Sequence, residues 1–191
     1  MNEENGRIAV DITRKTIELW VKEKKKLEPE SYPEEFDEKR GVFVTIYTYP
    51  EKKLRGCIGF PEPRFPLIKA LIEAAIASTH DPRFPVLKEG ELNQIIIEVS
   101  VLTKPDPIRV KSPKEYPKKI KIGKDGLIVR SGHHSGLLLP QVATEHKLDK
   151  EDFLKHTCLK AGLSPDSWLE EGIEIFRFQS LIFSENKPGK A

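Results

Sequence analysis

The chain has 191 residues, of which 38% are hydrophobic and 32% charged, with a formal net charge of +2. That length allows one large domain or two small lobes around a real core, and the apolar share excludes a disordered chain. No apolar run approaches the roughly 18 residues of a membrane span, and the net charge is too small to demand an anionic partner.

The start, Met1-Asn2-Glu3-Glu4-Asn5, is acidic and polar, unlike a secretory signal, so a cytoplasmic location is expected. There Cys57 and Cys158 would both stay reduced. In residues 7–26, Ala9, Ile12, Thr16, Leu19 and Trp20 recur at helical spacing. The run Lys22–Lys26 suits the negative end of that helix. Residues 27–40, with Pro29 and Pro33, connect onward.

Val42–Tyr49 is dense in β-branched and aromatic residues and predicts a strand. Pro50–Lys53 turns the chain, and Leu54–Phe60 returns as the second arm of a hairpin. Pro66 opens a helix running to about Ser78, with Leu67, Leu71, Ala74, Ala75 and Ser78 as a small-residue stripe. His80-Asp81-Pro82-Arg83-Phe84-Pro85 is a rigid loop. A strand follows at Ile95–Leu102, and Pro105–Pro107 marks a boundary. Ser112 is placed to cap a one-turn helix from Pro113.

Three short strands are expected at Ile120–Ile122, Leu127–Arg130 and Leu137–Leu139, with turns at Gly123–Gly126 and Ser131–Gly136. Gln141–His146 predicts one or two helical turns. Asp149 caps a helix over about Lys150–Ala161, closed by Gly162. Ile173–Phe183 predicts one last strand covered on both faces, and the polar tail from Glu185 predicts fraying. This order of helices and hairpin-connected strands predicts an α+β fold with antiparallel sheet.

The chemistry concentrates in Leu54-Arg55-Gly56-Cys57-Ile58-Gly59. Two glycines within a strand signal the close approach of a backbone or a ligand. Alternation puts Arg55 and Cys57 on one face and Leu54 and Ile58 on the other. A guanidinium beside a thiol favours the thiolate. Nucleophilic use also needs a base, and His80 is the candidate, although spacing alone singles out none of the five histidines. Free cysteines are usually small buried hydrophobes, so Cys57 reads first as a structural or ligand-lining thiol.

Asp81 and Arg83 offer a carboxylate and an anion clamp, or else a turn in which Asp81 caps backbone donors. Gln141 offers an amide or a cap. His133-His134 lies in a glycine-bounded turn without a third ligand, and no zinc, phosphate-loop or dinucleotide signature occurs, so neither a metal nor a cofactor is expected. Lys111–Lys124 is basic but carries Tyr116 as its one aromatic, fewer than RNA stacking wants. It reads first as a solvated loop and edge.

The hexapeptide resembles the hallmark of the AMMECR-one-like family. Gly41–Val44, Asp81-Pro82-Arg83-Phe84-Pro85, Glu98–Leu102, Gly136–Ala143 and Lys160–Leu163 are similar to further family segments in the same order, with Val86 where a second proline is usual. The resemblance spans nearly the whole chain, so residues 1–191 are expected to form one such domain. It implies two lobes, a larger one of about 1–104 plus 137–191 and a smaller β-rich one of about 105–136, with the hexapeptide near a cleft between them. It implies no established reaction.

Three functions follow as expectations. The first is a cleft-based binding or accessory protein, using Leu54, Arg55, Gly56, Ile58, Gly59, Asp81, Arg83 and Gln141 toward a partner or a small anionic ligand. The resemblance implies Memo-like and radical-SAM proteins as its associates. The second is a cysteine-dependent enzyme with Cys57 as nucleophile and His80 as base. The third is a regulatory protein that binds nucleic acid through Lys111–Lys124.

Overall fold

The computed structural model describes residues 1–191. They divide into two compact units, residues 1–102 with 181–191 and residues 103–180. In the first unit, α1 (Glu3–Glu23) begins earlier than its apolar repeat because the Asn2 side chain accepts the Asn5 N–H at 2.8 Å. It ends where Lys24 turns left-handed at φ 56°.

Strands β1 (Val42–Thr48), β2 (Leu54–Phe60) and β3 (Ile95–Leu102) follow, with α2 (Leu67–Ser78) between β2 and β3. β1 pairs antiparallel with both β2 and β3. With β8 (Ser180–Ser184) they form a sheet in the order β2-β1-β3-β8, so β2 is an edge strand. The inward faces Val42, Val44, Ile46, Ile97, Val99 and Val101 pack against Ala9, Ile17, Leu71, Ala74 and Ala75 of the helices. Full burial of a side chain such as Leu71 contributes about 1.5–3 kcal/mol.

The second unit holds β4 (Asp106–Pro107), α3 (Tyr116–Lys119), β5 (Gly126–Ser131), β6 (His134–Leu138), α4 (Pro140–Glu145), α5 (Lys150–Lys160) and β7 (Glu174–Phe178). Its sheet runs β4-β7-β5-β6. Leu127, Val129, Ile175, Phe153, Leu154, Cys158 and Trp168 form the core. Both sheets and the helices beside them make an α+β fold. No helix is long and apolar enough to cross a membrane.

Several elements differ from expectation. Residues 137–180, expected with the larger lobe, pack in the second unit, because β6 pairs with β5 and α5 covers that sheet's core. Ile120–Ile122 is no strand, because the Asp125 carboxylate takes the Lys121 N–H at 2.8 Å and the chain turns there. The turn expected over Ser131–Gly136 shrinks to Gly132 and His133, with Gly132 at φ 55°, and His134 joins the strand. The final strand is two. β7 pairs with β5, the chain passes through Gln179, and β8 joins the other sheet. The tail does not fray at Glu185, which is 3% exposed and held by Arg14.

Candidate functional site

Cys57 sits mid-strand on β2, half-buried, on the sheet face opposite the helices. Its thiol accepts a hydrogen bond from the Thr45 hydroxyl at 3.3 Å. Thr45 stands opposite Cys57 on one side and Glu98 on the other, so the three side chains form one row across β2, β1 and β3. Tyr47 lies beside Glu98. Burial pushes the Glu98 carboxyl up, against the pull of Lys52 and Tyr47. It pushes the Tyr47 phenol up as well, helped by Glu98 and Cys57.

Both glycines of the hexapeptide sit where a side chain has no room. A Cβ on Gly56 would lie 2.4 Å from the Ser78 carbonyl oxygen, so the end of α2 passes directly against the strand. A Cβ on Gly59 would lie 2.4 Å from the Val42 carbonyl oxygen and from the Phe43 ring. The close approach anticipated from the sequence is therefore made by the chain itself. Leu54, at the strand's start, is 38% exposed, and Ile58 is half-buried.

Arg55 does not serve the thiol. Its guanidinium is bidentate on Glu91, at 2.8 and 3.1 Å. Burial raises the Glu91 carboxyl, but Arg55 and the Lys88 N–H outweigh it, and its pKa is lowered. Glu91 also lines a polar recess of about 340 Å³ with Thr48, Tyr49, Glu51, Lys53 and Gln94.

Asp81 is 2% exposed and takes four hydrogen bonds. Its Oδ2 accepts the Cys57 N–H at 2.8 Å and Arg83 Nη2 at 2.7 Å. Its Oδ1 accepts the Arg83 N–H and Nε–H, each at 3.0 Å. The Arg83 hydrogen bonds, aided by the Cys57 N–H and opposed by burial, hold this carboxyl far below the usual carboxylate range. Arg83 Nη2 also donates to the Cys57 carbonyl at 3.3 Å. Together the pair closes both main-chain groups of Cys57, as a neighbouring strand would. Asp81 thus caps a local backbone donor, the Arg83 N–H, and a distant one, the Cys57 N–H.

His80 turns elsewhere. Its Nδ1 lies 2.7 Å from the Thr79 hydroxyl and 3.3 Å from the Ile76 carbonyl, its ring meets Trp20 edge-on, and no hydrogen bond joins it to Cys57. Gln141 is an exposed residue of α4 in the second unit. His133 is exposed at its hairpin tip, and no group of three His, Cys, Asp or Glu side chains converges as a metal site would require. Tyr116 is 9% exposed in the second core, so the lysine stretch presents no ring for stacking.

The sequence matches the AMMECR1 family over residues 10–183. The chain belongs to that family. It is 56% identical to Protein MJ0810 of Methanocaldococcus jannaschii, over 97% of this chain and 92% of the relative. It is 51% identical to Protein MK0488 of Methanopyrus kandleri, over 97% and 90%. The crystal structure of the uncharacterized protein PH0010 from Pyrococcus horikoshii is similar to it with a TM-score of 0.80 and 48% identity, covering all of this chain and 96% of that one. The family resemblance read from the hexapeptide and its ordered companions is therefore correct, and this AMMECR1-family chain shares its α+β fold with a solved relative.

Glu91, Thr45, Tyr47 and Glu98 were absent from the sequence-derived site. Period-two alternation along β1 and β3 puts Thr45, Tyr47 and Glu98 on the face that carries Cys57, and that signal was available. Nothing local marks Glu91 as the partner of Arg55, 36 residues earlier.

Proposed function

We propose that this AMMECR1-family chain is a cytoplasmic binding protein that works through a partner rather than by covalent catalysis. The observation that carries this reading is that the charged groups around Cys57 are already committed. Arg55 is held by Glu91, and Asp81 and Arg83 hold each other and the Cys57 backbone. A catalytic thiol needs a base within hydrogen-bond reach, and the thiol's one bonded neighbour is a threonine hydroxyl. An anion clamp needs a guanidinium free to fork, and both are occupied. An accessory role beside Memo-like and radical-SAM proteins is the form this reading takes.

The test is complementation of a deletion strain by the Cys57→Ser chain, whose oxygen replaces sulfur on the Thr45 hydroxyl. Function is expected to be restored to the level of the parent. Loss of function in a variant that melts within about 3 °C of the parent, a change worth under roughly 1 kcal/mol, overturns the reading in favour of a thiol-dependent reaction.

A further inference from the structure

An edge strand leaves main-chain donors and acceptors unpaired on its free side. In an antiparallel pair, alternate residues turn both groups away from the partner strand. Cys57 is such a residue, because its N–H goes to Asp81 and its carbonyl oxygen to Arg83. The alternation then turns the N–H and C=O of Gly59 outward too, and no group of the chain takes either one. One position of this edge is plugged by side chains, and the next is open.

A cavity of about 330 Å³ continues the line of the strand, lined by Phe60, Pro61, Glu62, Arg64 and Phe65. The Phe60 and Phe65 rings stand perpendicular, 6.2 Å apart. The rim is basic. Lys69 Nζ lies 4.7 Å from the centre of the Phe65 ring, and an isolated bridge holds Lys39 beside Pro66. Neither lysine forms an ion pair within the chain. Arg64 pairs with Glu62, but their side chains are 73% and 55% exposed, so that pair is weak.

We propose that the free edge of β2 at Gly59 receives an extended segment of a partner protein by strand addition. One apolar residue of that segment enters the Phe60–Phe65 cavity, and an acidic residue faces Lys39 and Lys69. Main-chain bonds supply affinity in such a contact, and the side-chain pocket supplies the choice of sequence. The Asp81–Arg83 pair sets the register, because it already fills the place of an added strand at Cys57. A partner with a cationic or glycine-rich segment gains neither the cavity nor the rim. This inference rests on the binding reading above and names its surface.

The probe is a terminally blocked peptide, Asp-Val-Phe-Val-Asp, titrated onto the full-length ¹⁵N-labelled chain to about 2 mM, a concentration that reveals dissociation constants of about 1 mM. A saturable shift of the Gly59 amide is expected, with its hydrogen exchange slowed about tenfold while the Cys57 amide stays as it was. Lys69→Glu, an exposed change, is expected to weaken binding at least threefold. A peptide N-methylated at its central residues loses the main-chain bonds and is expected to lose binding.

Absence of a saturable Gly59 shift overturns the proposal, and so does equal binding of the N-methylated peptide or of the Lys69→Glu chain. If the peptide fails while Cys57→Ser still complements, the edge is wrong and the binding reading stands. If Cys57→Ser fails to complement while the peptide binds, the reverse holds.

Discussion

Asp81 in the first unit and Asp125 in the second are equally hidden from water, 2% and 1% exposed, yet different donors satisfy them. Asp81 faces a guanidinium and two backbone N–H groups. Asp125 takes the Lys121 N–H at 2.8 Å and the Gln179 amide at 2.9 Å, both neutral donors. The cysteines diverge in the same way. Cys57 is half-buried on an edge strand, while Cys158 is fully buried in a helix, where burial, against the Trp168 N–H, pushes its thiol up. The first unit also buries the Arg14–Glu185 pair, with Arg14 reaching the Leu92 and Ile95 carbonyls at 3.0 Å. The first unit thus meets its buried charges with opposite charges, whereas the second unit meets its buried Asp125 with neutral donors.

The largest test of this contrast removes one end of the buried pair. Arg14→Met leaves Glu185 charged and unpaired, which costs about 3–5 kcal/mol, read from the midpoint of guanidinium unfolding. A loss below about 1 kcal/mol would mean that the pair behaves like a surface pair and would erase the contrast.

Next come the two aspartates. Asp81→Ala strips four donors of a charged acceptor and is expected to cost about 3 kcal/mol, against about 2 kcal/mol for Asp125→Ala with its neutral donors. The reverse order would break the comparison.

The third test uses pH. The folded pKa of Asp81 is depressed, so its contribution is fully present above the unfolded carboxyl value of about 3.9 and is lost as pH falls below it. The parent is therefore expected to lose stability from about pH 4 downward. Asp81→Asn, which has no proton to gain there, gives a flatter profile. Parallel profiles would assign the acid loss to other carboxylates.

The smallest effect is chemical. One thiol per native chain is expected to react with an aromatic disulfide reagent, with the second reacting only in denaturant. Two native thiols would show that the second core opens readily.

Much of the fold was legible beforehand. β2 begins and ends at the predicted residues, and β1, β3, α2 and α5 fall within a residue of prediction, because their periodicity and their proline and glycine boundaries act locally. The misses share a cause. Ile120–Ile122 looked like a strand until Asp125 claimed its N–H, and Ile173–Phe183 looked like one strand because each half is apolar for a different sheet. The tail at Glu185 looked solvated because the partner that buries its charge, Arg14, lies 171 residues away in the chain.

Within the candidate site, the strand, the alternation that turns Cys57 away from Ile58, and the glycines at 56 and 59 were legible in the sequence; the register shift that pairs Leu54 with Tyr47, skips Arg55 and brings Leu54 round to the Cys57 face was not. The family was legible too, carried by ordered motifs over most of the chain. Which partner each charge takes was not. Arg55 chose Glu91 over the thiol, Asp81 closed the Cys57 backbone across 24 residues, and His80 turned to Thr79. Periodicity is a property of neighbouring residues, and one chain segment suffices to show it. An ion pair or an edge closure is decided by which distant groups arrive within about 3 Å of each other, and only the folded chain brings them there.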